Sequence, residues 1–293
     1  MITHLHIEAS SFCNARCPGC PRNAYGYPLE GFYKETNLNI DSWKKILSDF
    51  PHVKNILFCG NHGDPMMNPD IAEIVELSNV HCSIATNGSI GRIETYKKLA
   101  RLNTKITFGI DGLEDTNHLY RQGVKWNFLM DRIKNFITNG GQAEWQFIVF
   151  KHNQHQIKTA RQLSIALGFK GFETVYGGRD NFPAIQLDKT ISHWILPANS
   201  TATPDKKFDV DEYINMRYHP YNLKKSSLGA VDVDCEHLRG SVYVNAEGEY
   251  FPCCYQGFGH VDRPKVPLKE FSKLKDSWDI DCNKVCASSC KKP

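Results

Sequence analysis

At 293 residues, 41% hydrophobic and 23% charged, the chain is long enough for one large domain plus a small appended one and has the composition of ordinary globular proteins. Its formal net charge of +3 is too small to argue for a nucleic-acid or membrane partner. No apolar run approaches the roughly 20 residues of a membrane span and no signal-like segment opens the sequence, so the expected location is cytoplasmic.

The first predicted element is a strand over the alternating run Ile2 to Ile7. Its exit loop carries Cys13, Cys17 and Cys20, three thiols within eight residues. Asn14, Arg16, Pro18 and Gly19 interrupt them, which makes a poor apolar core. Eleven cysteines in a cytoplasmic chain point to metal rather than to disulfides. Structural zinc closes with four protein ligands, whereas three thiolates leave one iron of a [4Fe-4S] cubane open to a substrate.

The connection from Pro21 to Ile40, with Tyr25, Tyr27, Phe32 and Tyr33, reads either as a lid or as a packed surface loop. Asp41 reads as the N-cap of a helix through Phe50 with Trp43, Ile46 and Leu47 on its apolar side. The pattern then alternates. Val53 to Cys59, His81 to Ala85, Ile106 to Ile110, Ala143 to Phe150 and Phe172 to Val175 are predicted strands. Ile71 to Leu77, Ile93 to Leu102, Trp126 to Ile137 and Gln156 to Leu167 are the helices between them. Counting the first strand, six strands joined by crossovers of this length predict an α/β fold, a parallel sheet covered by helices and curved into a partial (β/α)6 barrel.

The expected division is a barrel over residues 1–177, an irregular bridge over 178–231 and a small unit over 232–293. Gly178, Pro183, Pro197 and Pro204 punctuate the bridge, where Arg179, Asp180, Tyr213, Arg217, Tyr218 and His219 are possible substrate contacts by location alone. The last unit holds Cys235, Cys253, Cys254, Cys282, Cys286 and Cys290. A hairpin predicted from Ser241 to Tyr250, with a Glu247-Gly248 turn, would bring Cys235 and Cys253 together.

Ligands of parallel α/β folds sit at the carboxyl ends of the strands. There the sequence places Cys59-Gly60-Asn61-His62-Gly63-Asp64-Pro65, Thr86-Asn87-Gly88 and Asp111-Gly112, with Arg121 further on. Each is an ordinary turn or solvated residue when taken singly. Together they offer backbone groups near Gly63 for an ammonium, Asp111 for ribose hydroxyls and Arg121 for a carboxylate. Those are the parts that hold an amino acid joined to a nucleoside.

At this point the chain resembles the radical S-adenosylmethionine (SAM) superfamily. Cys13, Cys17 and Cys20 match its CxxxCxxC signature, and His62-Gly63-Asp64-Pro65 is similar to its Gly-Gly-Glu-Pro motif. Thr86-Asn87-Gly88 and Ile110-Asp111-Gly112 resemble turns of the subgroup with C-terminal auxiliary clusters. Gly19 stands where the family usually has an aromatic residue, and Asp64 is one methylene shorter than the usual glutamate. The resemblance implies a [4Fe-4S] cluster on the three cysteines and SAM contacts from His62, Gly63, Asp64, Pro65, Thr86, Asn87, Asp111 and Arg121. It also implies reductive cleavage of SAM to a 5′-deoxyadenosyl radical that takes a substrate hydrogen, with an external reductant such as flavodoxin or ferredoxin.

Cys235, the hairpin and Cys253 resemble the twitch module, a shortened SPASM module. The implied ligands of one auxiliary [4Fe-4S] cluster are Cys235, Cys253, Cys286 and Cys290, with Cys282 as an alternative and a four-cysteine zinc site as the competing occupant. Cys59 and Cys82 read as core residues, and Cys254 as a spare thiol or a hydrogen-atom donor. Substrate oxidation through the auxiliary cluster, by dehydrogenation or crosslinking, is the first functional expectation. A redox-neutral epimerase or rearrangement enzyme is the second, and a non-catalytic iron-sulfur or zinc protein is the alternative from another class. Because the sequence begins almost at its first strand, a small-molecule substrate is favoured, or a peptide recognised through another protein.

Overall fold

The structure, a computed structural model, describes residues 1–31, 34–176, 181–204, 207–218, 240–251 and 254, with 217 and 218 as backbone alone. Five of the predicted cysteine ligands, Cys235, Cys253, Cys282, Cys286 and Cys290, lie outside the described residues, as do Arg179, Asp180 and His219.

The elements run in chain order as β1 (His4–Ile7), β2 (Asn23–Ala24), β3 (Tyr27–Pro28), α1 (Ile40–Asp49), β4 (Asn55–Phe58), α2 (Ile71–Ser78), β5 (His81–Thr86), α3 (Ile93–Arg101), β6 (Lys105–Gly109), α4 (Asn117–Tyr120), α5 (Trp126–Thr138), β7 (Gln142–Val149), α6 (Ile157–Leu167), β8 (Gly171–Tyr176), β9 (Phe182–Ile185), β10 (Ile191–Ile195), α7 (Val210–Tyr218), β11 (Ser241–Val244) and β12 (Tyr250–Phe251). The six expected strands form one parallel run in the order β1, β4, β5, β6, β7, β8. Among the described residues the sheet is open, with β8 at one edge, in keeping with a partial barrel.

Each strand sorts its side chains by the two-residue period. Leu5, Ile7, Ile56, Phe58, Ile84, Ile106, Phe108, Trp145 and Phe147 are buried in one core with Trp43, Ile74, Tyr96, Leu99, Leu129, Ile133 and Phe136 of the covering helices. The indole N–H of Trp43 donates to the Ile74 carbonyl at 2.9 Å and that of Trp145 to the Ile110 carbonyl at 2.8 Å, so neither buried ring leaves a donor unpaired. The alternate residues, His6, Leu57, Ser83, Thr107 and Gln146, keep some exposure, and Leu57 is 39% exposed. A closed eight-stranded barrel packs that inner face with branched apolar residues. Here it is mostly polar.

Two local readings change. The helix α1 is capped by Asn39, not Asp41: the Asn39 side chain accepts the Ser42 N–H at 2.8 Å, and Asp41 sits in the first turn. The stretch read as an irregular bridge contains the antiparallel pair β9 and β10, and α7 follows. Pro183 disguised β9, yet in a two-stranded ribbon a proline can turn its missing N–H outward.

The predicted hairpin forms, with Tyr243 opposite Phe251 and Val244 opposite Tyr250. It also joins the main sheet, because β11 pairs in parallel with β1 and sets Tyr243 opposite His6.

Asn39→Ala should cost about 1 kcal/mol of stability in urea unfolding, and Asp41→Ala only a few tenths. Equal losses would restore Asp41 as the cap.

Candidate active site

The cysteine loop leaves β1 and folds over the carboxyl ends of its neighbours. It is held by backbone bonds from Arg16 N–H to Gln122 O and from Asp64 N–H to Phe12 O, both 2.8 Å. Cys17 is buried, and Cys13 and Cys20 are partly so. Burial, aided by the Asp64 carboxylate, pushes the Cys13 thiol up to about 12, and burial pushes Cys17 up to about 11 and Cys20 upward as well. Three thiols in such a site ionise only if a cation takes their charge. N–H groups already point at the sulfurs: Ala15 N lies 3.4 Å and Asn87 Nδ2 3.8 Å from Cys13 Sγ, and Arg121 Nη1 lies 3.9 Å from Cys17 Sγ.

Among the described residues no three histidine, cysteine, aspartate or glutamate side chains are placed to hold a metal ion. A cubane asks for something different, since each thiolate meets its own iron. Donor type, burial and the N–H···S bonds fit such a cluster.

The loop after β4 is pressed against the cysteine loop at near-contact distance. A Cβ on Gly63 would stand 2.0 Å from the Ser10 carbonyl oxygen, and one on Gly60 would stand 1.8 Å from that of Gly63. Only glycine allows this approach. Pro65 opens a single 3-10 turn through Met67, capped by Asp64.

Asp64 and Glu8 tie the rim together. Asp64 accepts the Thr86 hydroxyl at 2.7 and 2.9 Å on its two oxygens, the Asn87 N–H at 2.8 Å and the Met66 N–H at 3.0 Å. Burial holds its carboxyl above the usual range against those bonds. Glu8, which the sequence reading missed, accepts the N–H groups of His62 at 2.5 Å and Gly63 at 2.9 Å on Oε1. Its Oε2 accepts the Tyr243 hydroxyl at 2.5 Å. Burial pushes Glu8 upward, but the His62 side chain and the bonds from His62 and Tyr243 outweigh it and hold Glu8 low. An acid placed directly after an apolar strand was the available signal.

Thr86 and Asn87 link the third loop to the first. Asn87 Nδ2 donates to Asn14 Oδ1 at 2.9 Å, and Asn14 Nδ2 donates to Ser89 Oγ at 2.8 Å.

Asp111 and Arg121 come together as a pair, with Arg121 Nε 2.6 Å from Asp111 Oδ2. The other carboxylate oxygen accepts the Ile148 N–H at 2.6 Å, and Asp111 is fully buried. Asp111 thereby also positions Arg121, whose guanidinium reaches towards Cys17. Burial works against the Arg121 charge, but Asp111 and Cys17 more than offset it. Arg121 lies flat over Gly109, where a Cβ would stand 2.5 Å from Nη2.

Of the eight residues expected to contact a nucleoside-bearing ligand, His62, Gly63, Asp64, Pro65, Thr86, Asn87, Asp111 and Arg121, all lie on this one rim, and most also hold it together. Cys82 is buried in the core as expected, whereas Cys59 is only partly buried.

The model of the radical SAM superfamily matches residues 7–161, more than half of the 293 residues. The chain belongs to the radical SAM superfamily. Among curated radical SAM relatives, it is 26% identical over 180 residues to the tungsten-containing aldehyde ferredoxin oxidoreductase cofactor-modifying protein of Pyrococcus furiosus, covering 56% of this chain and 49% of that protein. It is 25% identical over 168 residues to the AdoMet-dependent heme synthase of Nitratidesulfovibrio vulgaris, covering 55% and 44%. The chain thus spans about half the length of these relatives.

Among solved structures, Streptococcus suis SuiB bound to S-adenosylmethionine superposes with a TM-score of 0.61 at 17% identity, over 99% of this chain and 68% of SuiB. SuiB bound to its precursor peptide SuiA gives 0.59 at 18% identity, over 99% and 67%. These likenesses establish the radical SAM fold. The family uses a [4Fe-4S] cluster and SAM, and its members are enzymes.

Glu8→Ala removes an ionised acceptor from three donors and should cost about 3 kcal/mol in urea unfolding, against about 1 kcal/mol for Tyr243→Phe. In the double variant the two losses should fall well short of adding, because both remove the same bond. Full additivity would mean that Tyr243 does not bear on Glu8.

Proposed function

We propose that the chain is a radical SAM oxidoreductase in which Cys13, Cys17 and Cys20 hold a [4Fe-4S] cluster with one iron left for SAM. The observation that carries this reading is the three-thiol loop, buried, supplied with N–H donors and locked to the loop of His62, Gly63, Asp64 and Pro65. When bound, the cluster supplies the electron that cleaves SAM to methionine and a 5′-deoxyadenosyl radical.

The chain's own groups bind and orient. Carbonyls of the close-packed loop at Gly63 would receive the ammonium of SAM, and Arg121, fixed by Asp111 and reaching Cys17, would pair with its carboxylate. Thr86 and Asn87 keep the third loop within reach of the nucleoside while Asp64 holds them in place. The substrate lies against the inner face of the sheet beside His6, Leu57, Ser83, Thr107 and Gln146.

The C-terminal cysteines Cys235, Cys253, Cys286 (or Cys282) and Cys290 would hold one auxiliary [4Fe-4S] cluster, which would supply an electron acceptor for oxidation of the substrate. A flavodoxin- or ferredoxin-like carrier in the cytoplasm supplies the first electron. The substrate is a small molecule or a peptide, in line with a heme synthase and a cofactor-modifying protein among the relatives and a peptide on SuiB.

Reconstituted anaerobically and reduced, the protein should release methionine and 5′-deoxyadenosine in equal amounts from SAM, and Cys17→Ala should lower that rate at least ~100-fold. Cleavage that survives in Cys17→Ala would overturn the assignment. Replacing Cys235, Cys253, Cys286 and Cys290 together should reduce iron from about eight to about four per chain and leave SAM cleavage intact. An unchanged iron content would remove the auxiliary cluster from the account.

A further inference from the structure

The β9 and β10 ribbon crosses the rim as a strap held at both ends. At one end the Ile185 N–H donates to the Tyr25 carbonyl at 2.8 Å. The Tyr25 ring reaches along β9 and stacks on Phe182, the partner of Ile195, at 5.4 Å and on Tyr213 at 4.3 Å. At the other end the Lys151 N–H donates to the Leu196 carbonyl at 3.0 Å, Phe150 bridges to Pro197, and His193 Nε2 lies 3.0 Å from the Leu119 carbonyl oxygen. The strap therefore runs from the loop after β7 to the residues just beyond the cysteine loop.

His152 sits in the seam at the second end. Its ring stacks on Phe150 at 5.5 Å and 13°, and both ring nitrogens are shielded from water without a hydrogen-bond partner among the described residues. The groups that act on it electrostatically are imidazoles from each neighbouring element: His193 of β10, His155 of the turn before α6 and His118 of α4. Lys151, next to it in the chain, is exposed. The nearby acid Asp115 accepts from Gln156 Nε2 at 2.8 Å, and no carboxylate figures among the groups that act on His152.

We propose that this seam is a proton-operated latch: the strap lies closed on the loop after β7 while His152 is neutral, and a proton on His152 breaks the Lys151–Leu196 attachment while the Ile185–Tyr25 backbone bond holds. An imidazolium in the closed seam has three imidazoles around it and, among the described residues, no counter-charge, so opening of the seam is what hydrates it. The direction is fixed by linkage. Burial first, then His193, His155 and His118, hold His152 down at about 4, against 6.5 for an ordinary histidine. A group held low favours the closed form fully above about 6.5, and the closed-to-open ratio falls by up to tenfold per pH unit as pH drops from there towards about 4. Opening at this end would uncover the rim beside β6 and β7, so access to the inner face would rise in mild acid.

The test is amide hydrogen exchange on the intact, cluster-loaded protein at about pH 7.5 and about pH 5.5, corrected for the intrinsic pH dependence of exchange. In the wild type, protection of Lys151 should fall about tenfold across that interval while protection of Ile185 holds. His152→Phe keeps the ring stack without the proton site and should show no change at Lys151. A wild-type protein whose Lys151 protection does not respond to pH, or a His152→Phe protein with the same response, overturns the latch. If His152→Phe does not fold, the imidazole of wild-type His152 is titrated by NMR: an apparent pKa below about 6.5 supports the latch and one at or above it overturns it.

Discussion

Asp64 gives both of its oxygens to a neighbouring strand-end loop, to the Thr86 hydroxyl and the Asn87 N–H, while its own N–H is anchored to Phe12 of the cysteine loop. Three loops from three strands are thus joined through one buried carboxylate. Glu8 repeats the device a few residues away, joining β1 to the His62 and Gly63 amides and to Tyr243 of β11. Buried charges are expensive unless every lone pair is used, and bonds to backbone N–H groups meet that condition with fixed geometry. The shape of the rim depends on these clamps more than on any apolar contact.

The same constraint explains how the rim carries buried reactive groups. The helix-facing side of the sheet holds the apolar core, with Trp43, Trp145, Phe58 and Phe108 fully buried. The inner face carries mostly polar side chains, with Leu57, Ala85 and Ile148 among them, so the apolar core sits chiefly on the helix-facing side. Arg121 illustrates the arrangement: its charge is kept by Asp111, its path is cleared by Gly109, and its free edge reaches Cys17. Burial keeps the three thiols neutral until a cation arrives, which suits a site that assembles around iron and sulfide.

The alternation of apolar strands and amphipathic helices made the parallel sheet legible from sequence, and the spacing of Cys13, Cys17 and Cys20 pointed to the candidate site. Partner choice among polar residues was harder to read. Asp111 and Arg121 were both seen, but as separate ligand contacts rather than as one ion pair, because sequence does not give the register that places Arg121 over Gly109. Glu8 was passed over since its meaning comes from residues 54 and 235 positions away in sequence. The β9 strand was hidden by Pro183, and the union of β11 with β1 depends on a long-range pairing that local pattern does not encode.

The central claim is that the cluster on Cys13, Cys17 and Cys20 offers one iron to SAM. Electron-nuclear double resonance on the reduced protein, with SAM labelled with 15N at its amino group and 17O at its carboxylate, measures this directly. A variant lacking Cys235, Cys253, Cys286 and Cys290 isolates the signal of the first cluster. The account predicts hyperfine coupling from both labels and an electron-paramagnetic-resonance spectrum that changes when SAM is added. A spectrum identical with and without SAM, with no coupling to either label, would contradict it.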